Sequence, residues 1–245
     1  MNETLRRLAV EAARAGAAVC LRHWGGQVHV STKSAAGDVV TAVDRAAEQA
    51  VRTVLLSARP QDGVLGEELA EHTGTGAVQW VVDPLDGTTN YTRRLPHFAT
   101  SVAARSRADG SWLAGAVCAP VLGNTWSAAK GLGAHVDSGS GAQRLPLMMI
   151  ESSARLVGTG LSYDAAHRRR QLGELPALLA DYTDMRRFGA AAVDLCLVAQ
   201  GSLDAFTEDD LAVHDWAAGA LIAEEAGATV VRPGEHRCEM SARRR

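Results

Sequence analysis

Cysteine is sparse and scattered. The four residues, Cys20, Cys118, Cys196 and Cys238, form no Cys-x-x-Cys pair, so neither a disulfide framework nor a thiolate metal motif is on offer. Cys118 and Cys196 fall in apolar runs and read as buried thiols, which fits a reducing cytoplasm. A basic excess is also missing. The net charge is −3, which gives no electrostatic footprint for nucleic acid. No apolar run approaches the roughly 20 residues of a membrane span. The N-terminus carries Glu3, Arg6, Arg7, Glu11 and Arg14 where a signal peptide would have an apolar core. Lysine is nearly absent, at positions 33 and 130 only, while arginine and alanine abound. That bias suits a GC-rich genome and says nothing about mechanism. No internal repeat or low-complexity segment is evident.

What remains is a 245-residue chain, 47% hydrophobic and 22% charged, ordinary for a globular protein. Its length allows one large domain or two small ones sharing an interface. Leu5, Leu8, Ala12, Ala15 and Val19 recur at helical spacing, which predicts a helix over 3–23. Residues 24–40 form a connection in which Val28 and Val30 alternate as in a short strand. A second helix is expected from Thr41 to about Ala58. An apolar strand near 64–66 and another over 78–82 follow. Four strand-like runs, at 98–105, 113–119, 125–129 and 134–136, are separated by short turns and imply antiparallel hairpins. The polar Gly/Ser segment 136–143 marks an expected boundary between a sub-domain of residues 1–143 and one of residues 144–245. The second part alternates strands near 156–158, 203–206 and 229–231 with helices over 164–180, 190–200 and 213–226. Gly201 and Gly227 stand just past two of those helices. This alternation implies an α/β layer.

The chemistry concentrates at residues 81–90, Val-Val-Asp-Pro-Leu-Asp-Gly-Thr-Thr-Asn. A buried strand here runs into Asp-Pro and Asp-Gly, two turn dipeptides. Asp83 and Asp86 stand three residues apart at its end. Unpaired and buried they would repel each other, so they call for a cation between them. The amides of Gly87 and Thr88 suit an anion, as successive N–H groups in a turn do. A metal-plus-phosphate site follows. A solvated turn with two Asx caps is the plainer alternative.

The Asp83–Asn90 motif resembles the signature of the inositol monophosphatase family, metal-dependent and lithium-sensitive phosphatases. Other segments fall in the family's order. They are Gly66-Glu67-Glu68, the stretch from Gly189 through Cys196, and His214-Asp215 with the apolar helix that follows. The segment from Lys33 to Asp44 resembles the one whose final Asp is catalytic. Taken alone, Asp44 would read as a helix cap with Thr41, and Asp215 as a helix-dipole residue. Three departures stand out. Ala190 occupies a position where many members carry Ser or Thr. Trp216 follows Asp215, where the family usually has Trp before the Asp. The chain stops at Arg245, where relatives continue into another strand and helix, so an exposed edge of the C-terminal sheet is expected.

The resemblance implies a layered αβαβα sandwich, of mixed α/β (α+β) class, and two or three Mg²⁺ ions. Glu67, Asp83 and the Leu85 carbonyl would hold one ion; Asp83, Asp86 and Asp215 would hold a second. Thr88, polarised by Asp44, would handle the proton of the attacking water, a task Glu67 could share. Asp86, Gly87 and Thr88 would meet the phosphate, and Glu208 and the Ala191 backbone the alcohol. The implied partner is a small phosphorylated substrate such as an inositol, sugar or aminocyclitol phosphate, with histidinol phosphate or a nucleoside 3',5'-bisphosphate as alternatives. A homodimer is implied, and no nucleic acid or membrane partner is expected. A silent regulatory protein on the same scaffold is the contrasting class. The run Glu208-Asp209-Asp210 adds charge that would favour an ammonium-bearing alcohol unless it points to solvent.

Overall fold

The computed structural model describes residues 1–26, 30–32, 39–147, 153–234 and 239–244. The side chain of Thr41, Val28, Cys238 and the 33–38 part of the Lys33–Asp44 segment lie outside this description. The elements begin with α1 (Asn2–His23), β1 (Val30–Thr32), β2 (Val39–Thr41), α2 (Ala42–Ala58) and β3 (Gly63–Gly66). Next come β4 (Val78–Asp86), α3 (Thr88–Thr92), β5 (Ala99–Ser106), β6 (Trp112–Ala119) and β7 (Asn124–Ala129). They continue with β8 (Gly133–Asp137), β9 (Ala142–Arg144), β10 (Leu156–Thr159), α4 (Ala165–Leu179) and β11 (Asp184–Arg186). The last are α5 (Ala191–Gln200), β12 (Ala205–Asp209), α6 (Val213–Glu225), β13 (Thr229–Val231) and β14 (Glu239–Arg243).

β3 to β9 form a seven-stranded sheet in sequence order, antiparallel apart from the β3–β4 pair. Strand alternation sends Trp80, Val82, Val102, Ala104 and Ala116 to one face, where Leu5, Ala12, Val51 and Leu55 of α1 and α2 cover them. Val81, Ala103, Val117 and Trp126 point to the other face, against Val193, Leu195, Ala218 and Leu221 of α5 and α6. The same core continues into Phe206, Met240 and Ala242 of a five-stranded sheet ordered β11-β10-β12-β14-β13. The α5–α6 pair is therefore sandwiched between two sheets. α4 lies beyond the second, where its Leu175 and Leu178 share a cavity with Thr159 and Thr207. Five layers result, as the resemblance implies. Small residues let the middle layers close up: a Cβ at Gly115 would lie 3.0 Å from Ala218 Cα.

Two details differ from expectation. The strand through Val82 does not turn at Asp83-Pro84 but continues to Asp86, with a register shift between Asp83 and Asp86. Pro84 lacks an N–H, yet its carbonyl accepts from Thr100 Oγ1 at 2.8 Å, so the strand survives as an irregular one. The second is β14. It lies inside the five-stranded sheet, antiparallel to both β12 and β13. The strands with one neighbour are β11 and β13. Residues 138–141 connect β8 to β9, whose pairing extends the first sheet to Arg144. Cys20, Cys118 and Cys196 are buried thiols. Among the described residues, no helix is long and apolar enough to cross a membrane.

Candidate active site

The end of β4, the first turns of α5 and α6 and the ends of β10 and β12 converge on one open cavity of about 440 Å³. Its walls include Glu67, Asp83, Leu85, Asp86, Gly87, Thr88, Ala191, Glu208 and Asp215. Nine of the ten positions singled out from sequence thus share one space. The tenth, Asp44, is fully buried behind it and touches the wall through Thr88.

The irregular end of β4 presents Asp83 and Asp86 on the same side. Asp83 Oδ1 accepts the Leu85 N–H at 3.0 Å, and Asp86 Oδ2 accepts the Ala192 N–H at the start of α5 at 2.9 Å. These amides favour the charged carboxylates, but the opposing effects win. Burial and the neighbouring Glu67, Asp86 and Asp215 push Asp83 well above the usual carboxylate range. Burial, then Asp215 and Asp194, do the same to Asp86. The chain then reverses at Gly87, whose φ of 87° is left-handed. A Cβ there would also sit 2.9 Å from the His97 carbonyl, so glycine is required on both counts. The reversal places the Thr88 hydroxyl 3.1 Å from Asp44 Oδ1 and 2.9 Å from the Leu85 carbonyl, and it donates to one at a time.

Glu67 follows β3 at the head of a loop secured from behind. Buried Glu48 of α2 accepts from Arg52 Nε at 2.7 Å and from the Glu68 N–H at 2.8 Å. Arg52 in turn donates to the Leu69 and Ala70 carbonyls. A Cβ at Gly66 would overlap the Glu48 carboxylate. Opposite, Asp215 caps α6 by accepting the Ala212 N–H at 2.7 Å through Oδ2. The helix-cap role and the cavity position coexist, because a carboxylate has two oxygens. Glu208, at the end of β12, packs where a Cβ at Gly160 would overlap it. Burial, opposed by Arg187 and reinforced by Asp194, Asp215 and Asp209, pushes its carboxyl up to about 8.

The other two acids of that run, Asp209 and Asp210, line the same cavity but also face α4. Asp209 accepts from His167 Nε2 at 2.7 Å, from Arg170 at 3.2 Å and from Gln171. Burial works to raise its pKa, but these donors prevail and hold it below the usual value. Asp210 is mostly exposed and faces the other His167 nitrogen at 3.4 Å. Asp209 is thus tied to α4 by three side chains. Ala190 is buried in the core behind Gly87.

Among the cavity residues that escaped the sequence reading are three polar ones: Arg187 and His214 line it, and Tyr163 bridges its mouth through a 2.9 Å hydrogen bond with Thr89 Oγ1. His214 was visible only as the neighbour of Asp215; nothing local marks Arg187 or Tyr163. With four acids converging, two of them buried and repelled, the donors fit hard dications bound by oxygen. One ligand atom each from Glu67, Asp83 and His214 lie within 4.8 Å of one another.

Comparison with known proteins bears on the family of the chain. The model of the inositol monophosphatase family matches residues 1–244. The inositol-1-monophosphatase of Mycobacterium leprae is 45% identical over 210 residues, 83% of this chain and 72% of that protein. The Nus factor SuhB of Salmonella typhimurium is 36% identical over 230 residues, 91% of this chain and 83% of that protein. The crystal structure of the extragenic suppressor protein suhB from Bartonella henselae superposes with a TM-score of 0.88 at 33% identity, covering 98% of this chain and 94% of that one. Family model, sequence relatives and structural likeness agree, and the chain belongs to the inositol monophosphatase family.

Proposed function

We propose that this protein hydrolyses a small phosphate monoester, of the inositol monophosphate, sugar phosphate or aminocyclitol phosphate kind, with Mg²⁺ bound by its acidic cluster. The observation that carries this is the joint placement of Glu67, Asp83, Asp86 and Asp215 around a cavity whose wall also holds the Thr88–Asp44 hydrogen bond. Glu67, Asp83 and the Leu85 carbonyl would hold one ion, and Asp83, Asp86 and Asp215 another. Two such ions, when bound, would supply an activated water and charge stabilisation for the phosphate. Asp44 orients the Thr88 hydroxyl, so that its oxygen faces the cavity as acceptor for the water's proton, with Glu67 near enough to share the work. The amides of Gly87 and Thr88 and the start of α5 at Ala191 bind and orient the substrate. Glu208, whose pKa of about 8 lets it carry a proton at neutral pH, hydrogen-bonds a hydroxyl of the leaving alcohol. A cytoplasmic homodimer belongs to the same proposal.

Histidinol phosphate and nucleoside 3',5'-bisphosphates are the alternative substrates, and the hydrogen bonds of Asp209 to His167 and Arg170 compete with any amine for that carboxylate. Some relatives bear the name Nus factor, which keeps a regulatory binding role as the second reading. Inorganic phosphate release from a panel of inositol, sugar, histidinol and bisphosphate substrates decides between them. Release with Mg²⁺, abolished by chelation and restored by adding the ion back, is the expected result. Silence on the whole panel with Mg²⁺ present would favour the binding role.

A further inference from the structure

We propose that His214 Nε2 is a ligand of the metal held by Glu67 and Asp83, giving that position a mixed nitrogen and oxygen donor set that prefers Mn²⁺ over Mg²⁺. This deepens the metal-dependent function proposed above and rests on it. His214 and Asp215 are consecutive in the first turn of α6, and the turn brings both side chains to the cavity. His214 Nε2 lies 3.9 Å from Glu67 Oε2 and 3.6 Å from Asp215 Oδ1. Both distances exceed hydrogen-bond length, so neither acid holds this nitrogen by a direct bond. The Glu67 distance instead matches donors sharing an ion. Atoms each about 2.1 Å from one metal stand roughly 3–4.3 Å apart. The triad of Glu67, Asp83 and His214, within 4.8 Å, approaches that spacing, and Glu67 and His214 are partly exposed and have room to close the remainder. Imidazole is a ligand of first-row ions such as Fe²⁺, Ni²⁺ and Zn²⁺, whereas Mg²⁺ takes oxygen; Mn²⁺ belongs to the first-row series yet also takes carboxylate and carbonyl oxygen, so one nitrogen among oxygens suits it better than it suits Mg²⁺. Among the described residues the other histidines lie outside this cavity, so a nitrogen signal from it has one source.

The test uses untagged full-length protein stripped of metal and titrated with Mn²⁺. Pulsed electron paramagnetic resonance reads whether ¹⁴N couples to the ion, and competition against Mg²⁺ reads the affinity ratio. The expected result is nitrogen coupling in the wild type that disappears in His214→Gln. The Mn²⁺-to-Mg²⁺ affinity ratio should fall about tenfold or more. His214→Asn, which also lacks the imidazole, serves as a second variant with its own check of fold by circular dichroism. Mn²⁺ bound in the wild type without nitrogen coupling, or coupling that survives in the variants, overturns the role of His214 and leaves the all-oxygen metal site standing. Failure of both Mn²⁺ and Mg²⁺ to bind overturns the metal-dependent function as well.

Discussion

Thr88 stands between two acceptors, and which of them receives its single proton decides what it can do. If the Leu85 carbonyl is engaged by a cation, the hydroxyl must donate to Asp44, and its oxygen is left as acceptor toward the cavity. Thr88→Ala is therefore expected to lower kcat by about 10²- to 10⁴-fold with little change in KM. Asp44→Asn should behave alike, and the double variant should be little worse than either single. Additive losses in steady-state kinetics would show that the two residues do not work as a pair. Glu208 offers a separate handle. Its carboxyl is raised from an ordinary 4.5 to about 8, so the folded protein binds that proton more tightly than the unfolded chain. Its contribution to stability is present below pH 4.5 and is lost as the pH climbs through about 8. Metal-free wild type should show a falling Tm across that window, and Glu208→Gln a flatter one. Equal slopes in the two proteins would remove Glu208 as the cause.

At the scale of elements, the β3 loop shows how a surface acid is aimed from the interior. The Glu48–Arg52 pair on α2 is almost fully buried and spends its remaining hydrogen bonds on the backbone at 68–70. Arg52→Ala leaves Glu48 buried and uncompensated and should cost about 3–5 kcal/mol in chemical denaturation. Replacing both partners with Glu48→Gln and Arg52→Met should cost less than the single change. A single-variant loss under 1 kcal/mol would mean the pair is not what secures this loop. Nothing of this clamp was legible beforehand, because the partners are 17 to 21 residues apart on a helix and a loop and their pairing is purely tertiary. The elements themselves were largely legible. Helical spacing from Leu5 to Val19 placed α1, and Gly201 marked the end of α5. The Asp-Pro dipeptide misled, since local turn chemistry gave way to pairing with β5 on one side. β14 went unread because its pairing with β12 and β13 is nonlocal.

Over the whole molecule, the cavity lies where the two sheets and the α5–α6 layer meet, so acids distant in sequence arrive there from separate elements. Asp83 and Asp86 come with the first sheet, Glu208 with the second, Asp215 with the helix layer between them. The motif at 83–90 pointed to this site from sequence because its residues are contiguous. His214, Arg187 and Tyr163 did not show, because only the packing of layers brings them to the same space. The cost of the arrangement is electrostatic: Asp83 lies buried among three other acids and its pKa is driven upward. Neutralising that one carboxylate while keeping its shape isolates the issue. The decisive measurement is phosphate release from an inositol monophosphate by Asp83→Asn and wild type across a Mg²⁺ titration, with the metal-free Tm of each as a control of fold. Wild type should turn over with saturable Mg²⁺ dependence, and Asp83→Asn should stay at background while its metal-free Tm is equal or higher. A variant rate close to wild type, or a wild-type rate indifferent to chelation, would contradict a metal-dependent phosphatase centred on Asp83.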